Sequence, residues 1–206
     1  MIELMIGLVI LGALVVLGIP SMRDYLTNSK ILALAQSYQA ALQKARSHAV
    51  LLNTPVDVVL TAASAEPANV AAAASAAGPN WIVRVQPNAN AQTSLTNPPS
   101  VLPTAFVFVE GKNSAEGSSS SSTGAVVINS DVGTYGGVTY AAATTVTFTG
   151  LSNAPALGTT AAVSFTAPTC APAGPIRCLL VVVSPGGQSK VCDPAATTAG
   201  DTRSCT

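Results

Sequence analysis

Hydrophobic positions follow two different patterns in the first part of the chain. Residues 1–22 form an apolar run with one acidic residue, Glu3, and the first basic residue is Arg23. The following residues instead repeat apolar positions at steps of three and four, which is typical of a helix with one buried face. The members of this stripe are Ile31, Leu34, Tyr38, Ala41, Leu42, Ala45, Ala49 and Leu52. Together the two patterns predict one long helix over residues 1–53 whose second half packs on a sheet.

Proline and glycine modify this helix. Pro20 lacks a backbone donor and predicts a kink. Gly7, Gly12 and Gly18 each weaken the helix by about 1 kcal/mol relative to alanine. Pro55 disfavours the helical conformation in the residue before it, so the helix is expected to end there.

Beyond residue 54 the chain changes to short runs rich in Val, Thr and Ile between turn residues, which predicts strands. The predicted strands are Pro55–Leu60, Trp81–Val85, Phe106–Glu110, Ala125–Ile128, Thr144–Thr149, Ala161–Thr166, Leu179–Ser184 and Gln188–Cys192. We expect the runs at 144–149 and 161–166 to pair as a hairpin. The last two runs are joined by Pro-Gly-Gly and predict a terminal hairpin.

Two low-complexity segments interrupt the strands. Residues 61–80 are rich in Ala and Ser and predict either a short helix or a loop. Residues 111–124 hold the run Ser118–Ser122 and predict an exposed loop.

These patterns predict an α+β fold, in which a long kinked N-terminal helix packs on a mainly antiparallel β-sheet head. The expected bounds are residues 1–24 for a hydrophobic tail, 25–53 for the amphipathic half of the helix, and 54–206 for a β-rich head with a disulfide-stapled C-terminal region. The head has the size of one ordinary domain.

The tail has the character of a membrane segment with one costly residue. Leu4–Ile19 forms about 24 Å of helix at 1.5 Å per residue, which approaches the thickness of a bilayer core. A signal peptide is not indicated, because there is no basic region before the apolar run and no Ala-x-Ala site after it. A charge at the centre of a membrane helix costs roughly 2.5–3.5 kcal/mol. Glu3 therefore suggests a helix that lies first in a membrane and then in a bundle of its own copies, where a charge of opposite sign can pair with the carboxylate.

Charge adds little else. The chain holds nine basic and nine acidic residues, a balance that argues against a nucleic-acid surface built on bulk charge and favours self-association. Beyond residue 150, Arg177, Lys190 and Arg203 face only Asp193 and Asp201 as opposite charges, which is a weak patch for phosphate binding.

The cysteines all fall near the C-terminus, at Cys170, Cys178, Cys192 and Cys205. Their spacing matches no common zinc pattern, so disulfides in an oxidising compartment are the better interpretation. Three pairings are open from sequence alone. We favour Cys170–Cys178 and Cys192–Cys205, because each closes a short loop that contains Pro or Gly, and each bridge is worth about 2–4 kcal/mol.

Signs of catalysis are missing from the sequence. It holds no Gly-rich phosphate loop, no G-x-S-x-G elbow and no metal-binding helix. His48 is the one histidine and is expected to have a packing or surface role. Asp193 and Asp201 belong to no dense run of calcium ligands. We therefore expect neither an enzyme nor a cofactor or metal.

The N-terminal segment resembles that of a known family. It reads IELMIGLVILGALVVLGIP, which looks like the processed N-terminus of a type IV pilin or type II secretion pseudopilin, with Glu3 as the characteristic acid and Pro20 as the characteristic helix break. The helix that runs into PVDVVL and the ending CLLVVVSPGGQSKVCDP are similar to the FimT/FimU/GspH group within that family.

The resemblance implies that the protein is located first in a membrane and then in a filament. A prepilin peptidase is expected to remove a leader and to methylate the new N-terminus, which is Met1 or a residue that precedes this segment. The subunit then waits in the bacterial inner membrane as a single-pass protein with its head outside the cytoplasm. An inner-membrane assembly platform is then expected to move it into a helical filament of like subunits and other pilins. The residues implied in assembly are Glu3, Gly7, Gly12, Gly18 and Pro20.

Three functions follow from the resemblance and stay open. The first is a structural subunit of a type IV pilus-like extracellular filament, which we favour narrowly. The second is a minor pilin at the tip that initiates assembly or binds DNA for uptake. The third is a GspH-like pseudopilin of a type II secretion system.

Overall fold

A computed structural model of the chain describes residues 2–76, 78–87, 105–113, 127–131, 133–135, 138–151, 153–154, 157–166, 174–198 and 200–205. The predicted long helix is confirmed as α1, Ile2–Leu52, and Pro20 lies within it. The kink at Pro20 stays a prediction. Asn53 follows the helix in the left-handed region with φ of 48°, and the Thr54 amide donates to the Ala49 carbonyl at 3.3 Å. This is the usual way in which an asparagine ends a helix.

The stripe on the second half of α1 is buried as predicted, with one exception. The buried members are Ile31, Leu34, Tyr38, Ala41, Leu42, Ala45 and Ala49, and Ala35, which was not predicted, is buried with them. The prediction for Leu52 is wrong, because its side chain is 44% exposed. It lies at the last residue of the helix, where the stripe has passed the edge of the structure that covers it.

The head consists of ten strands among the described residues. They are β1 Val56–Thr61, β2 Asn80–Val85, β3 Val107–Lys112, β4 Val127–Asp131, β5 Gly133–Tyr135, β6 Val138–Ala142, β7 Thr145–Phe148, β8 Ala161–Thr166, β9 Leu179–Val183 and β10 Ser189–Cys192. A first sheet has the order β3-β2-β1-β7, and a second has the order β10-β9-β8-β6-β5 with β4 also paired to β8. The pairings are antiparallel except for β6 with β8. The predicted α+β fold is thus confirmed.

Strand pairing departs from the prediction in one place. The expected hairpin of 144–149 with 161–166 is wrong, because β7 pairs with β1 while β8 pairs with β9. The two runs therefore belong to different sheets, although they are neighbours in sequence. Strands β5 and β6 were not predicted, since their Gly- and Thr-rich residues lack a clear apolar alternation. The terminal hairpin of β9 and β10 is confirmed, with Gly187 at a φ of 78° in its turn.

The segment between β1 and β2, described over residues 62–76 and 78–79, includes one short 3₁₀ helix, Pro67–Asn69. The Arg84 guanidinium ties this segment to β2 by donating to the carbonyls of Val70 at 2.8 Å and Ala72 at 3.1 Å. A Cβ on Gly78 would lie 2.5 Å from the Thr61 amide nitrogen, so this close approach requires glycine.

The core lies where α1 meets both sheets. The helix contacts β1, β2 and β7 of the first sheet and β8, β9 and β10 of the second. Tyr38 is at the centre, with its ring 6.2 Å from that of Trp81 and 5.7 Å from that of Phe165. Complete burial raises the pKa of the Tyr38 hydroxyl well above its usual range, so this side chain stays neutral. The second half of α1 is therefore the element that joins the two sheets.

Candidate assembly site

The described apolar side chains at the start of α1 are exposed, whereas the apolar stripe of its second half is buried. Met5 is 72% exposed and Val9 is 69% exposed. Ile6, Leu8, Ile10 and Leu11 are also more than half exposed. Soluble proteins rarely leave such a contiguous apolar surface uncovered unless it binds something. This segment is the principal interaction surface that the described structure offers.

Glu3 stands within this apolar surface. Its side chain is exposed, and within the described part of the chain it forms no ion pair. A Cβ built on Gly7 or Gly12 meets no atom within 4 Å, so both glycines leave room for another backbone. Gly18 and Pro20 continue the helical backbone, while Met1 lies outside the described residues. Among the described residues, no helix combines the length and the hydropathy that a membrane span needs.

A groove of about 690 Å³ lies where the tail meets the head. We call it the junction groove. Its walls include Tyr25, Ile31 and Leu32 of α1, Leu179 and Val191 of the terminal hairpin, and the charged residues Arg177, Asp193 and Arg203. Tyr25 is 71% exposed and Leu32 is 45% exposed, so the helix side of the groove is an open apolar wall.

Asn28 builds one side of this groove. Its amide nitrogen donates to the Pro175 carbonyl, and its amide oxygen accepts from the Arg177 backbone amide, both at 2.8 Å. This pair of hydrogen bonds ties residues 175–177 to the helix and places Arg177 beside the groove. Asn28 was not predicted to have a role. Its one signal in the sequence is that asparagine is a poor helix former, placed here inside a helix, just before the apolar stripe, where no cap is needed.

The two arginines of the groove are held to different degrees. Arg203 donates to both carboxylate oxygens of Asp201, at 3.1 and 2.8 Å. This hydrogen bonding lowers the pKa of Asp201 to about 2. Arg177 is 61% exposed, and its guanidinium lies 4.0 Å from Asp193. Of the two arginines, Arg177 is therefore the more available to a carboxylate of another molecule.

The C-terminal segment is fastened to β10. A disulfide joins Cys192 to Cys205, with 5.0 Å between their Cα atoms, which is the pairing that the sequence analysis favoured. The Asp193 amide donates to the Arg203 carbonyl at 2.7 Å, and the Tyr140 hydroxyl donates to the Cys205 carbonyl. Cys178 is also disulfide-bonded. Its predicted partner, Cys170, lies outside the described residues, as does the run Ser118–Ser122.

The described residues give little support to other kinds of site. They contain no group of three or more His, Cys, Asp or Glu residues that could hold a metal ion. Of the cations considered for nucleic acid, Lys190 donates to the Ser204 carbonyl at 2.6 Å and Arg203 is bound to Asp201. Both of these cations are thus engaged by groups within the head.

Comparison with known proteins agrees with this architecture. A family model described as Type II transport protein GspH matches residues 34–187. The match takes in most of the buried half of α1 and the head as far as the turn between β9 and β10. Neither the curated proteins nor the solved structures yield a match. Because the family model covers well over half of the sequence, the chain belongs to the GspH family of type II transport proteins.

Proposed function

We propose that the protein is a structural subunit of a type IV pilus-like filament, in which α1 provides the contacts between subunits. The observation that carries the proposal is the exposed apolar half of α1, which continues directly into a half that is buried in the head. Membership of the GspH family supports a pilin-like structural role. One head cannot cover this surface, so its cover comes from lipid or from other subunits.

The tail is proposed to lie in the inner membrane before assembly and in the filament core afterwards. The transfer from lipid to a bundle of tails has a small hydrophobic driving force, since both surroundings are apolar. Close packing has to supply the rest. Gly7 and Gly12 allow this, because nothing lies near the positions of their missing side chains. A prepilin peptidase and an inner-membrane platform are the proposed partners in this transfer.

Glu3 is proposed to set the register between subunits by pairing with the N-terminal ammonium of a neighbour. A subunit that enters at the wrong height leaves its carboxylate buried and unpaired, which costs several kcal/mol. Glu3→Ala and Glu3→Gln are both expected to reduce assembly strongly, since Glu3→Gln keeps the shape of the side chain but removes its charge. Normal assembly by Glu3→Gln would contradict a register role that depends on the charge.

Electron microscopy of sheared surface fibres, combined with mass spectrometry, tests the main proposal. We expect this chain to dominate the mass of the fibres. A trace amount would instead favour a minor or tip subunit. Fibres of unchanged number and composition in cells that lack the chain would overturn the structural role.

A second function is favoured by the description of the matching family, Type II transport protein. In that case the protein is a pseudopilin of a type II secretion system, and the filament is short and confined to the cell envelope. Deletion of the chain is then expected to stop secretion of type II substrates without removing long surface fibres. Unchanged secretion alongside lost fibres would favour the pilus instead.

A further inference from the structure

The junction groove has the composition of a receptor for an apolar helix that carries one acid. Its apolar wall comes from Tyr25 and Leu32, which are both exposed, and from Leu179 and Val191 beside them. Its rim carries Arg177, whose exposed guanidinium lies 4.0 Å from Asp193, the one ion pair that it forms within the described part of the chain. The Asp193 carboxylate also accepts a 2.9 Å hydrogen bond from the Ala195 amide, so it does not depend on Arg177 as its partner.

The tail of α1 has the complementary composition. Glu3, Ile6, Gly7 and Ile10 recur at steps of three and four and therefore share one face of the helix. Ile6 and Ile10 are each 56% exposed, and Gly7 makes the middle of this face flat. We call this face the tail stripe. It offers apolar contacts, a site of close approach and one carboxylate.

Two other carboxylates of the described chain are already engaged. Glu110 is paired with Lys44, and Asp57 is only 2% exposed and accepts from Gln86 and Thr147. Glu3 combines exposure with apolar neighbours on its own helix face.

The geometry of α1 requires that the two surfaces belong to different copies. Glu3 and Asn28 lie on the same helix, about 38 Å apart at 1.5 Å per residue. Because Asn28 holds the backbone of Arg177, the rim of the groove is at about this distance from Glu3 of its own chain. The tail therefore cannot reach the groove beside it.

We propose that the junction groove binds the tail stripe of a second copy, with the carboxylate of Glu3 paired to Arg177. This inference rests on the proposed filament function and adds a partner for the tail on the head of another subunit. A carboxylate has enough acceptor sites to bind a guanidinium and an N-terminal ammonium together. The two surfaces are different parts of the molecule, so the contact is heterologous and open-ended, as a filament needs. It sets an axial displacement of about 38 Å between the two copies that touch.

Cross-linking in assembling cells tests the contact on the full chain. Ile6→Cys and Leu32→Cys are combined and treated with a short bismaleimide. Within one copy the two positions are about 39 Å apart along the helix, so a product must join two copies. We expect dimers and a ladder of higher products. Ile6→Cys with Leu51→Cys is the matched control, since Leu51 is 80% exposed at the far end of the same helix.

Charge variants test the ion pair in the same cross-linking assay. Arg177→Gln is expected to lower the yield about tenfold, because it removes a charged hydrogen bond. Arg203→Gln is expected to change it little, since that guanidinium is already bound to Asp201. Arg177→Glu is expected to lower the yield further than Arg177→Gln, because it places a second carboxylate opposite Glu3.

The outcomes separate this inference from the proposed function. If fibres form and the Ile6–Leu32 pair gives no more product than the control, the groove does not bind the tail, and the filament function stands. Equal losses for Arg177→Gln and Arg203→Gln would also contradict the pairing with Glu3. If the pair cross-links as expected in cells without fibres, the contact is supported and the filament function fails.

Discussion

Both halves of α1 carry apolar side chains, but they relate to the rest of the molecule in opposite ways. The described side chains of residues 5–11 are exposed where they are large, whereas Ile31, Tyr38 and Leu42 are almost completely buried. The buried half interrupts its apolar residues with polar ones at helical spacing, and one sheet-facing stripe is sufficient to cover it. The exposed half has no polar face, so a single head cannot cover it.

The two halves of α1 depend on different contacts for their stability. The second half of α1 is stabilised by contacts within one chain, and its substitutions should act on folding. The first half has no partner among the described residues of its own head, and its substitutions should act on assembly. A tail substitution that destabilised the head would contradict this division.

The largest expected effect is a cavity in the buried half. Leu42→Ala should lower the free energy of unfolding by about 2–5 kcal/mol, because Leu42 is fully buried in the core between the sheets. Ile10→Ala should change it by less than about 0.5 kcal/mol, because Ile10 is exposed. Chemical denaturation of the full chain in detergent, followed by the fluorescence of Trp81, measures both. A large loss for Ile10→Ala would show that the tail is part of the folded head.

An intermediate effect is expected at the boundary between the halves. Asn28→Ala removes two hydrogen bonds to residues 175–177 and should cost about 1–3 kcal/mol. It should also reduce the Ile6–Leu32 cross-link, since Arg177 loses its support. Asn28→Asp is a sharper control, because it keeps the acceptor for the Arg177 amide and loses the donor to Pro175. Full cross-linking by Asn28→Ala would show that binding at the groove does not depend on the two Asn28 hydrogen bonds.

The smallest effect is expected from acid. Arg203 lowers the pKa of Asp201 to about 2 by hydrogen bonding, from an ordinary value of 3.8. The pairing therefore stabilises the C-terminal segment above pH 4 and loses this contribution as the pH falls towards 2. The effect should be slight, because the pair is exposed. An NMR titration of the Asp201 carboxyl group should show the low pKa in the native chain, and Arg203→Gln should return it towards 3.8.

The fold was largely predictable because its elements carry local periodicities. The stripe from Ile31 to Ala49 predicted the packed face of α1, and the Pro-Gly-Gly turn predicted the terminal hairpin. Leu52 failed because periodicity does not say where the covering sheet ends. Strands β7 and β8 failed as a pair because local pattern identifies a strand but not its neighbour. Pairing depends on which sheet edge the folded core leaves open.

The candidate assembly site was predictable only in part. Glu3 and the glycines of the tail were visible as exceptions within an apolar run. Asn28 and Arg177 were not expected to meet, because they are far apart in the chain and are joined only when residues 175–177 return to the helix. No sequence spacing reports a contact of that kind.

By itself, the sequence determined the kinds of element, the division of α1 into two halves and the presence of one acid in an apolar tail. These follow from side-chain chemistry and from the periods of helix and strand, which are local properties. Only the tertiary structure shows the assignment of strands to two sheets, the hydrogen bonds of Asn28 to residues 175–177 and the junction groove. These features depend on contacts between residues that are far apart in the sequence, and such contacts form only when the whole core has folded.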